Sequence, residues 1–113
     1  MNPSVKFLAI IVLGISFGAA VALARVAPTT RPQAVATVRA ILRSNATACK
    51  IDRVQSISAV RSGAVWKVTA RLVMSGSGRR LTETAAWNVR VADGHAAPAN
   101  ELASEIENGC PLD

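Results

Sequence analysis

The chain has 113 residues, half of them hydrophobic, and carries a formal net charge of +6. That length admits one domain with a modest core and excludes a multidomain assembly. An apolar content this high, dominated by Val and Ala, also excludes a disordered chain.

Residues 7–24 read FLAIIVLGISFGAAVALA, an uncharged stretch preceded by Lys6. As a helix these residues would span about 27 Å, just short of a hydrocarbon core. Two readings stay open for residues 1–24. Ala22-Leu23-Ala24 supplies an Ala-x-Ala cleavage pattern of the signal-peptide kind. The same stretch is a workable transmembrane anchor, with Lys6 and Arg25 snorkelling at its ends. Arg25, Arg31, Arg39 and Arg43 follow the segment, and a literal positive-inside count would retain the rest of the chain in the cytoplasm. Several of those arginines belong to a predicted helix, and folded domains are translocated largely regardless of charge. Export is therefore the expectation, with the module periplasmic, secreted or held at the membrane.

A short linker over residues 25–30 leads into the module, residues 31–113. Thr30 opens a capping box with Gln33, and Pro32 falls in the first turn, where its missing N–H is harmless. The helix that follows presents Val35, Val38, Ile41 and Leu42 on one face and should end near Ser44 or Asn45. Cys49 comes just after it.

Three strands are predicted next. Residues 54–60 alternate weakly and end at the turn Arg61-Ser62-Gly63. Residues 64–74 alternate cleanly, with Ala64, Trp66, Val68, Ala70, Leu72 and Met74 on one side. Ser75-Gly76-Ser77-Gly78 is a tight turn, after which residues 80–91 place Leu81, Ala85, Trp87, Val89 and Val91 on the apolar side. A two-residue loop at Gly76 and Ser77 would pair Leu72 with Leu81, Val68 with Ala85 and Trp66 with Trp87. In that register Glu83 faces Ala70 on the inward side, where it either lies beyond the helix at a wet edge or pairs with Arg39 or Arg43.

The outer side of the hairpin carries Lys67, Arg71, Arg80 and Arg90 with no acid among them. Such a face is either simply solvated or a docking patch for an anionic partner. Nucleic acid is disfavoured, because both tryptophans point inward and the chain has no tyrosine to stack on bases. Charge is unevenly placed along the chain. Of the acids, only Asp52 and Glu83 lie between Arg25 and Arg90, and beyond Arg90 there is no Lys or Arg at all.

Asp93-Gly94 turns the chain into a short terminal helix at about residues 99–108, with Leu102, Ala103 and Ile106 on its apolar stripe and Gly109 as its cap. Cys110 follows. With only Cys49 and Cys110 present, one after each helix, a disulfide is expected in an oxidising compartment; two buried free thiols are the alternative if the module is cytoplasmic. The single histidine, His95, lies beside Asp93 without a nucleophile, so no catalytic, metal or cofactor constellation is legible.

The fold class expected is α+β: the N-terminal apolar helix, then one helix packed on a three-stranded antiparallel sheet, with a short C-terminal helix. The order helix, strand and hairpin, carrying Val65-Trp66-Lys67-Val68 and Trp87-Asn88-Val89-Arg90-Val91 before Asp93-Gly94, resembles small exported modules of PepSY-like and cystatin-like type. The resemblance spans about residues 31–96 and implies a helix across an antiparallel sheet, in a class of modules that bind or inhibit proteins or serve membrane assemblies. It transfers no functional residue. The expected function is that of a non-enzymatic module contacting a protein partner at or in the membrane. The alternative is a cleaved, secreted protein-binding or inhibitor-like factor.

Overall fold

The computed structural model describes residues 27–76 and 78–110. The apolar segment of residues 1–24 lies outside the described residues. Two helices and four strands follow in the order α1 (Arg31–Asn45), β1 (Ile51–Ser62), β2 (Val65–Gly76), β3 (Arg79–Arg90), β4 (Ala96–Pro98) and α2 (Glu101–Glu107). The strands form one antiparallel sheet in sequence order. Among the described residues no helix is long and apolar enough to cross a membrane.

Helix α1 begins where its capping chemistry dictates. The Thr30 hydroxyl accepts from the Gln33 backbone N–H, and the Gln33 side chain accepts from the Thr30 N–H at 2.8 Å, which satisfies two otherwise orphaned donors. The buried stripe is Ala34, Val38 and Leu42, one residue per turn. Val35 and Ile41 flank it half-buried, which widens the apolar face that meets the sheet.

Alternation in β2 and β3 puts Trp66, Val68, Ala70, Leu72, Ala85, Trp87 and Val89 on one buried face. Both helices lie on that face, α1 against β1 and β2, and α2 against β3 and β4. Ala64, expected at the start of this face, is instead exposed in the turn before β2.

The hairpin register differs from the sequence expectation by two residues. Gly76 pairs with Arg79, so Trp66 faces Val89, Val68 faces Trp87, and Glu83 faces Leu72 rather than Ala70. The physical cause is the turn. Gly78, not Gly76, takes a positive φ of 75°, which puts the permissive residue second in the two-residue loop, as primed hairpin turns favour. A slip of two keeps every side chain on its own face, so both tryptophans still point inward.

The sheet has four strands, not three. After the turn at residues 91–94, β4 runs back along β3, with Pro98 facing Trp87. A proline at the end of a three-residue edge strand removes a donor that no further strand requires. The Ala99 N–H continues the ladder to the Ala86 carbonyl.

Asn100 then stands in for a strand residue. Its Oδ1 accepts from the Ala86 N–H at 3.2 Å and from the Ala103 N–H at 2.9 Å, while its Nδ2 donates to the Thr84 carbonyl at 3.0 Å. One side chain thus caps α2 and ties its start to β3. Asn100→Ala should cost about 0.5–2 kcal/mol in urea unfolding, the range for a lost cap. Asn100→Asp, which retains the acceptor and loses the Nδ2 donor, should fall between the two.

Helix α2 ends in a Schellman arrangement. Gly109, at φ 79°, donates to the Ile106 carbonyl, and Cys110 donates to Glu105 at 2.7 Å. That turn delivers Cys110 to Cys49, and the two form a disulfide with Cα atoms 5.1 Å apart. The bridge joins the C-terminal ends of the two helices.

Candidate functional site

Two surfaces carry chemistry, and the sheet separates them. On the outer face, the register places Lys67 opposite Val60 and Asn88, and Arg71 opposite Ser56 and Thr84. Arg80 and Arg90 are on the same face, nearer its two ends. Two of the four cations of this face are ion-paired to acids from outside the hairpin's outer row. Arg80 donates to Asp52 at 3.1 Å, and Asp52 also accepts from the Ser75 hydroxyl at 2.7 Å. A register shift between Ile51 and Arg53 re-aims Asp52 toward them, as β-bulges do. Arg90 forms a two-point pair with Asp93, one contact being Nε to Oδ1 at 3.0 Å.

Among the described residues Lys67 and Arg71 make no ion pair, and they remain as the central cations of the face. Beside them is Val60, the most exposed large hydrophobic side chain of the described residues at 64%.

The Asp93 carboxyl is lowered from 3.8 to about 2, first by its hydrogen bond with Arg90 and then by the His95 backbone N–H. A depressed folded-state value means that the pair contributes stability above the ordinary carboxylate range. That contribution is lost as pH falls through about 2. Urea titrations in acid should therefore show Asp93→Asn less stable than wild type near neutrality, with the difference closing as pH approaches about 2.

The second surface is on the helix side. The covered face of the sheet runs out toward the hairpin tip, where Ala85 is fully buried but Glu83, two residues on, is exposed. Beyond that limit the sheet, the turn after α1 and the flank of α2 enclose an open groove of about 590 Å³. Its apolar lining comes from Met74, Leu81 and Leu102, beside the bridged Cys49. Its carboxylates are Glu83, Glu101 and Glu105, with Lys50 the single cation of the lining. Of the two expectations for Glu83, the wet edge beyond the helix is the one found. No Arg39 or Arg43 contact is made among the described ion pairs.

The tryptophans anchor opposite parts of the body. Trp87, fully buried, donates its indole N–H to Glu107 at 2.7 Å, which fixes α2 over the sheet. Trp66 donates to the Thr29 carbonyl at 2.8 Å, and the Thr29 N–H donates to Val91 at 2.7 Å. Arg31 and Arg61 lie over the Trp66 ring, 5.5 and 5.7 Å from its centroid. The expected linker is thus seated on the body from Thr29 onward. The Asn100 cap had a local signal, an Asn directly before an apolar helical stripe. Thr29 and Glu107 had none, since each is defined by a partner at least twenty residues away.

His95 is exposed in the turn before β4, and both cysteines are consumed by the bridge. Among the described residues no group of three His, Cys, Asp or Glu side chains could hold a metal ion. Comparison with protein-family models, with curated proteins and with solved structures finds no match to this chain.

Proposed function

We propose that the chain is a non-enzymatic extracytoplasmic binding or assembly module, an accessory component of a membrane protein complex. The observation that carries this reading is the Cys49–Cys110 bridge, which is consistent with an oxidising compartment and clamps both helices of a small domain. The pinned Thr29 supports it further. Only residues 25–28 separate the apolar segment from the body, and at most about 3.6 Å per residue they hold a retained module close to the bilayer surface. Purification from native membranes in mild detergent tests the reading. A stoichiometric co-purifying subunit is expected, and a lone monomer counts against it.

A second reading is favoured by Ala22-Leu23-Ala24: a cleaved, secreted protein-binding or inhibitor-like factor. It requires loss of residues 1–24, so an intact mass that retains them eliminates it.

A further inference from the structure

The groove at the hairpin tip has three properties that do not serve the fold. First, it leaves apolar surface in water: Leu81 is 42% exposed, and Met74 and Leu102 are only half-buried. Second, Glu101 and Glu105 stand four residues apart on α2, a like-charge spacing that weakens a helix. Glu101 is favoured by the helix N-terminus, whereas Glu105 has no such compensation. Third, none of Glu83, Glu101 and Glu105 is ion-paired among the described residues. On a chain of net charge +6, whose overall field repels cations, the apolar groove has three carboxylates in its lining against one cation, Lys50, and so a net negative rim.

We propose that this groove is the docking site for a segment of a protein partner that presents an apolar side chain flanked by Lys or Arg. This deepens the binding-module reading and rests on it. The apolar side chain would lie against Leu81, Met74 and Leu102, and the flanking cations would meet Glu83 on one wall and Glu101 and Glu105 on the other.

The test uses the full chain in a non-ionic detergent and fluorescein-labelled peptides read by polarisation. The probe is Gly-Ser-Lys-Leu-Arg-Leu-Lys-Ser-Gly, with a charge-reversed peptide carrying Glu and Asp and a cationic peptide carrying Ser for Leu as comparisons. The cationic-apolar peptide should bind at least about tenfold tighter than either comparison, a factor of ten being about 1.4 kcal/mol. Combined Glu83→Gln, Glu101→Gln and Glu105→Gln should weaken it by a similar factor, and so should Leu81→Ser. Lys67→Ala with Arg71→Ala, on the far side of the sheet, should not weaken it.

Wild-type affinity in the triple variant, with near-UV circular dichroism showing an unchanged fold, overturns the proposal. So does equal binding of the charge-reversed peptide, or no binding at all. Concentration-dependent self-association in sedimentation, abolished by the triple variant, would assign the groove to a second copy of this chain and overturn it as well. A subunit that co-purifies equally with the wild type and the triple variant removes the groove while leaving the binding-module reading in place.

Discussion

Replacing Cys49 and Cys110 together by alanine should lower the unfolding free energy by about 2–4 kcal/mol, as measured by urea denaturation without reductant. The two residues are 61 apart in sequence, so the bridge removes a long loop from the unfolded ensemble. In the folded chain it joins the ends of both helices, and α2 has only seven residues, too few to persist alone in water. Loss of the bridge should therefore appear first as faster amide exchange in α2. Exchange in β2 and β3 should follow only global unfolding. The groove would suffer with it, because Cys49 and α2 form part of its lining.

Trp87→Ala should cost about 3–5 kcal/mol, the range for truncating a large buried aromatic side chain. The residue is fully buried, faces Val68 and Pro98 on the neighbouring strands, and holds Glu107 through its indole N–H. Trp87→Phe separates the two contributions. It keeps most of the apolar volume and removes only the hydrogen bond to an exposed carboxylate, so its cost should be about 1 kcal/mol. A full-sized loss from the phenylalanine variant would mean that α2 is held mainly by that one bond.

Much of this architecture is legible in local pattern. The Thr30–Gln33 box, the alternation of β2 and the Ser75–Gly78 turn each carry their own physical cause within a few residues, and the Cys49–Cys110 bridge, though it spans 61 residues, is legible because the chain has only two cysteines. What escapes is decided elsewhere. Hydrophobic alternation cannot tell a register from one slipped by two, since both bury the same side chains, and the choice falls to which glycine takes positive φ. Strand β4 is three residues long and ends in proline, and only its ladder with β3 makes it a strand. The ion pairs of the outer face are of both kinds. The Arg90–Asp93 pair is local, but Arg80 meets Asp52 across 28 residues through a bulge. The groove is less legible still, because it depends on where the helices stop covering the sheet.

The functional reading rests on the Cys49–Cys110 bridge, a bond consistent with an oxidising compartment. Intact-mass analysis of protein from its native host, alkylated on lysis with and without prior reduction, tests this most directly. Cys49 and Cys110 should both resist the alkylating reagent until reductant is added, and then both react. Two labelled thiols in the unreduced sample would show that the bridge is not formed in the cell, and the extracytoplasmic assignment would fall with it.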